Sequence, residues 1–249
     1  MAYFNIVAQS SESTVVTEYK PQTKRSEAYQ SETELEREFI RLLQELGYEY
    51  LPIHKVKDLV DNLRLQLEAV NGYRFSDGEW GRFFSEVLAN PKSGIVEKTR
   101  LIQEDFVQVL RRDDGSSKNI TLFDKKNIHN NRLQVINQYA VSKEEGAAHD
   151  NRYDVTVLVN GLPMVHIELK RRGVPIREAF NQIDRYQRDS FWAASGLFEY
   201  VQIFVVSNGT NTKYYSNTTR FNHIKDANPH KVKKEKTSNS FEFTSFWAD

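Results

Sequence analysis

Between Arg152 and Tyr186 the chain reads RYDVTVLVNGLPMVHIELKRRGVPIREAFNQIDRY, and no other stretch constrains the fold as tightly. Val155, Val157 and Val159 repeat every second residue, as do Val165, Ile167 and Leu169. That is the period of a strand with one buried face. Asn160-Gly161 between the two runs is a strong hairpin signal. Residues opposite one another in an antiparallel pair share a face, so both apolar sets must pair odd with odd or half of them would face solvent. A plain two-residue Asn-Gly loop gives the wrong parity. A three-residue loop, Asn160-Gly161-Leu162 with Gly161 at positive φ, gives the right one, and a β-bulge would also do so.

This register fixes the other face. Asp154 is expected opposite Glu168 and Thr156 opposite His166, with Lys170 projecting beside Glu168. Directly opposed Cβ atoms lie roughly 4.5–5.5 Å apart. Two carboxylates at that range repel, so one takes up a proton or a cation sits between them. A hard divalent ion held by carboxylate oxygens and water suits the pair, and Mg²⁺ fits best. Lys170 can offset charge on an anionic transition state or help to activate a water. The bland alternative is a surface hairpin with a cross-strand salt network. Parity, turn and the helix that follows all weigh against it.

Asp154 followed by Glu168-Leu169-Lys170 resembles the PD-(D/E)xK nuclease signature, with Tyr153 where the motif name has proline. Gln182 and Tyr186, four residues apart and so on one helix face, resemble the QxxxY motif of one branch of these nucleases. The wider text, NRYDVTVLVNGLPMVHIELKRRG, EAFNQIDRYQRDSF, VQIFVVSNGTNTKYYSN and the earlier ETELEREFIRLLQELGY, resembles the restriction (HsdR) subunit of type I restriction-modification enzymes. The resemblance implies an α/β fold, a restriction-endonuclease-like core whose mixed central sheet is flanked by helices, with an N-terminal helical extension. It implies Mg²⁺ held by Asp154, Glu168 and the Leu169 carbonyl, Lys170 acting on the water or the phosphate, and Gln182 and Tyr186 supporting the site or touching DNA. The neighbouring acids Glu34, Glu36 and Glu38 of the first helix read as a solvated face; in such nucleases a glutamate of that helix can approach the metal, and the resemblance does not single out one of the three. The implied reaction is hydrolysis of duplex DNA remote from the recognition sequence. Translocase domains absent from this chain, which bind the ATP, would drive it, and modification and specificity subunits would be partners. On that reading the chain is an N-terminal fragment acting in the cytoplasm.

The remaining chain is expected to divide into an arm over 1–30, an endonuclease domain over 31–220 (helices 31–100, sheet core 101–220) and a linker over 221–249. A short strand is expected from Tyr3 to Ala8. A helix starts at Ser31, with Leu35, Phe39, Leu42, Leu43 and Leu46 at helical spacing and Gly47 as the stop. A second spans Asp58 to Val70. A third starts at Ser76, where Ser76 and Glu79 form a capping box and Pro91 ends the helix. Strands are expected at Phe106–Leu110, Ile120–Phe123, Leu133–Val141, Tyr200–Ser207 and Lys213–Ser216. His149 and Asp150 fall in a loop leading to the hairpin. Arg171 and Arg172 are candidate holders of the DNA backbone, since Lys and Arg total 34 against 34 Asp and Glu and net charge carries no such argument. With no cysteine, thiol catalysis, disulfides and thiolate zinc are excluded. No apolar run approaches the roughly 20 residues of a membrane span, and no phosphate-cradling GxxxxGK[ST] occurs. Two other classes remain: a DNA-binding or docking module with a silent nuclease fold, and a stand-alone repair nuclease.

Overall fold

The computed structural model describes residues 4–9, 15–19, 30–217 and 244–246. Two short strands, β1 (Phe4–Gln9) and β2 (Val15–Tyr19), pair antiparallel. The first matches the expected strand within a residue, and the second was not foreseen. Of the linker expected over 221–249, which holds the basic run KVKKEK, only residues 244–246 are described.

Helix α1 (Glu32–Glu45) begins at a capping box: Ser31 Oγ accepts the Glu34 N–H, and the Glu34 carboxylate accepts the Ser31 N–H at 2.8 Å. Its buried stripe is Glu36, Ile40 and Leu43, while Leu42 and Leu46 are exposed. The expected stripe is therefore rotated by about one residue. After β3 (Glu49–Tyr50), α2 (Val56–Asn71) buries Leu59, Leu63 and Leu67 completely, as their spacing predicts. Helix α3 (Asp77–Phe83) has the Ser76–Glu79 capping box and continues as a π-helical turn to Leu88. Helix α4 (Ile95–Gln103) was not anticipated, and its N-cap is Gly94. Strands β4 (Val107–Arg111) and β5 (Ser117–Thr121) form a separate hairpin.

The central sheet contains β6 (Leu133–Val141), β7 (Asn151–Val159), β8 (Leu162–Leu169), β9 (Ile203–Ser207), β10 (Thr212–Ser216) and β11 (Ser245–Phe246). With β3 it has seven strands in the order β11-β10-β9-β8-β7-β6-β3. It is mixed as expected: β3–β6 and β8–β9 are parallel, the other pairs antiparallel. A parallel neighbour requires a crossover, and helix α5 (Ile176–Asp189) provides it between β8 and β9.

The β7–β8 register pairs Val155 with Ile167, Thr156 with His166 and Val157 with Val165, as parity required. The tip solves the parity problem by the bulge and not by a three-residue loop. Val159 pairs with Leu162 across a two-residue turn in which Asn160 (φ 51°) and Gly161 (φ 83°) are both left-handed, and Met164 is the extra residue. Asn160 is fully buried, its amide donating to the Leu122 carbonyl and to Asn131. Two apolar clusters cover the sheet. One joins Ile40 and Leu43 of α1 to Val135, Val155, Val157, Ile167 and Leu169. The larger one, on the other face, joins α2, α3, α4 and α5 to Ile136, Leu158, Phe204 and Val206.

Candidate active site

The ladder between β7 and β8 ends at Val155–Ile167. At the next step the Asp154 carboxylate accepts the Leu169 N–H (2.9 Å), replacing a backbone acceptor. Strand β7 rolls at this point. Val155 packs in the α1-side cluster, yet Tyr153, two residues earlier, packs in the opposite one against Tyr186, Phe191 and Phe198. Asp154 consequently opens onto a groove beside α1, lined also by Glu36, Arg37, Tyr50, Gln138, Arg152 and Arg172.

Glu168 is fully buried and Lys170 nearly so, its side chain 13% exposed. Burial pushes the Asp154 carboxyl up to about 7, and the Glu168 charge pushes it further in the same direction, while the Leu169 N–H opposes. Burial likewise pushes Glu168 up to about 8 against the pull of Lys170. With both carboxyls ionised, neither Glu168 oxygen has a donor among the described residues. With one protonated, the two carboxyls can share a hydrogen bond, which lowers Glu168. Lys170 Nζ stands 3.8 Å from Glu168 Oε1 and 3.8 Å from Glu32 Oε2.

Beneath them His166 is wholly buried, with Nε2 3.3 Å from Glu168 Oε2 and Nδ1 3.3 Å from Thr156 Oγ1. Burial pushes its imidazole down to about 4, so it is neutral at pH 7. Its Nε2, like both Glu168 oxygens, lacks a hydrogen-bond partner among the described residues. Three orphaned buried polar atoms around one carboxylate call for an ion or water to satisfy them. Among the described residues no three His, Cys, Asp or Glu side chains are grouped as a metal cage. The donor set is instead two carboxylates, which fits Mg²⁺, an ion that keeps several waters and takes one or two carboxylates.

The structure thus brings Asp154, Glu168 and Lys170 together. It also brings Gln182 and Tyr186 to them: Gln182 Nε2 donates to Tyr186 Oη, which donates to the Arg152 carbonyl (2.8 Å), two residues before Asp154. Tyr186 is buried and meets the protein interior, not a ligand surface. Arg172 lines the groove, and Arg171 is exposed with its N–H on Glu32 (3.3 Å). His149 and Asp150 turn elsewhere, to Asp189 and to the Lys143 N–H. Of the first-helix acids, Glu34 caps the helix and Glu38 pairs with Arg41. The ones that reach the site region are Glu32, through Lys170, and Glu36, through Asn137 and Gln138. Sequence reading missed Glu32 and treated Glu36 as one of a solvated set. The spacing 36, 40, 43 along α1, one buried stripe with the exposed Glu32 a turn before it, was the available signal.

Residues 29–223 match the family model described as the type I restriction enzyme R protein N terminus. The chain is 47% identical over 243 residues to the type I restriction enzyme EcoprrI endonuclease subunit of Escherichia coli, covering 97% of this chain and 72% of that protein. It is 42% identical over 195 residues to the SauMSSORF170P endonuclease subunit of Staphylococcus aureus strain MSSA476, covering 76% of this chain but 20% of that one. A putative subunit of Methanocaldococcus jannaschii, MjaIXP, is 32% identical over 112 residues, 43% of this chain and 10% of its own.

Proposed function

Because the chain belongs to the type I restriction enzyme R protein N-terminal family, we propose that it is the Mg²⁺-dependent endonuclease part of such a subunit, built on a PD-(D/E)xK core and hydrolysing phosphodiester bonds of duplex DNA. One observation carries this reading: the buried Glu168 and the half-buried Asp154 meet beside Lys170, Asp154 opens onto the groove, and the Glu168 oxygens are unsatisfied among the described residues. Asp154, Glu168 and the Leu169 carbonyl would hold the ion. When bound, Mg²⁺ supplies Lewis acidity toward the scissile phosphate and a lower pKa for the attacking water. Lys170 orients that water and offsets charge building on the phosphate. Glu32 restrains the Lys170 ammonium from the groove side. Tyr186 and Gln182 hold the backbone that carries Asp154, and Arg171 and Arg172 contact the DNA backbone. Cleavage follows translocation driven by ATP in domains outside this chain, with modification and specificity subunits as partners. Among the described residues no helix is long and apolar enough to cross a membrane.

The test uses the full-length subunit reconstituted with its partners in Mg²⁺. Lys170→Ala and Glu168→Ala are each expected to lower DNA cleavage by about a hundredfold or more and to leave ATP hydrolysis unchanged. Cleavage retained in both variants would make the hairpin a structural salt network and favour a silent DNA-binding module.

A further inference from the structure

Strand β6 contains a residue that a strand should not contain. Gln138 lies between the pairs Asn137–Val155 and Tyr139–Tyr153, across from Asp154, and its φ is +52°. A non-glycine residue in the left-handed region is strained and persists only where its surroundings over-determine it. The surroundings here centre on one carboxylate. Glu36, 8% exposed, accepts the Asn137 side-chain amide on Oε1 at 2.5 Å and the Gln138 side-chain amide on Oε2. Asn137 is held from its other side, its Oδ1 accepting from Tyr50 Oη (2.9 Å) and its carbonyl lying 3.0 Å from His54 Nδ1. Consecutive side chains of a regular strand point to opposite faces, so two neighbours cannot both reach one carboxylate on α1. The left-handed residue lets Asn137 and Gln138 do so.

Across the ladder β7 makes the matching roll, which leaves Asp154 and Val155 both toward α1 and sends Tyr153 to the far cluster. We infer that Glu36 is a positioning residue for Asp154: by clamping Asn137 and Gln138 it holds the β6 kink that turns the facing β7 segment, and with it the Asp154 carboxylate, toward the groove and the Leu169 N–H. Both Glu36 oxygens are engaged by amides, so its role is mechanical support of a metal-holding carboxylate and not ligation. The inference rests on the proposed function only for its consequence in metal binding.

The reporter is the Leu169 amide, whose hydrogen bond to Asp154 exists only while that side chain is in place. Its exchange with solvent is followed by NMR in the metal-free chain. Glu36→Ala is expected to speed it by about tenfold or more, with the β9 amides unchanged. Gln138→Gly in the same background removes the backbone strain and is expected to bring exchange back to within about threefold of wild type. If Glu36→Ala fails to fold, Glu36→Gln, which keeps one amide acceptor, is expected to give a smaller rise in the same direction. Unchanged Leu169 exchange in the Glu36 variants, or no recovery with Gln138→Gly, would overturn the inference. Calorimetric Mg²⁺ titration of the same chains separates the two readings. Affinity is expected to fall about tenfold in Glu36→Ala and to recover in the double variant, which a lost ligand could not do. A wild-type chain that binds no Mg²⁺ would sink the metal reading and leave the exchange result to decide this one.

Discussion

Asp154 and Glu168 keep their protons to higher pH than free carboxyls because burial disfavours charge on both, moving them from 3.8 and 4.5 to about 7 and about 8. Between those limits the folded chain binds more protons than the unfolded one, so stability falls as pH rises. His166, moved from 6.5 down to about 4, has the opposite slope and offsets part of the carboxyl effect below pH 6.5. The metal-free protein is therefore expected to lose thermal stability from about pH 6.5 to about pH 8. Glu168→Gln, or saturating Mg²⁺ in place of the protons, should flatten the fall. Melting curves in chelator and in Mg²⁺ measure this, and a flat profile in chelator would refute it. At this scale Asp154, Glu168 and Lys170 were legible because a hairpin's period turns spacing into proximity. Glu36 was not, because it stands in a run of acids that composition reads as solvated, and only the β6 kink reveals its work.

Turn residues at the tip of β7–β8 answer to α2 as well as to their own backbone. A Cβ on Gly161 would lie 2.6 Å from the Leu63 Cα, at a φ of +83° that disfavours side chains. Gly161→Ala is expected to cost roughly 3 kcal/mol, from the left-handed penalty together with the clash, measured as a loss of stability in urea. A value under about 0.5 kcal/mol would mean that the tip shifts freely over α2. The register of this hairpin was readable because the valine sets permit only one parity. The choice between a longer loop and a bulge was not, because both satisfy it, and contact of the tip with α2 and Leu122 is tertiary information. For α1 the apolar letters misled by one position. Leu42 and Leu46 stay exposed, while the stripe that meets the sheet begins with a glutamate.

Across the whole molecule, one buried ion pair ties the helical layer to the turn before β9. Lys98 of α4, 3% exposed, donates to Glu199 (2.6 Å) and to the Gly196 carbonyl (2.9 Å). Glu199→Ala would strand a buried ammonium and is expected to cost on the order of 3 kcal/mol, whereas replacing the pair with apolar residues should cost much less. Chemical denaturation of the single and double variants tests this, and equal losses would refute it. The mixed sheet was implied by the family resemblance, and the alternating residues showed only its central hairpin; α4 was legible from neither. It opens at a glycine and places Lys98 and Thr99 on its buried side, so its pattern carries little apolar signal. In the β7–β8 ladder, Leu158 pairs with Pro163 and Val157 with Val165, so Met164 fills no rung. A chain shortened by that residue would keep each of those partners, while one lengthened beside it would have to house a second unpaired residue. Insertion and deletion are thus unequal events at this tip: the hairpin has one residue of slack to give up before its acidic face loses alignment.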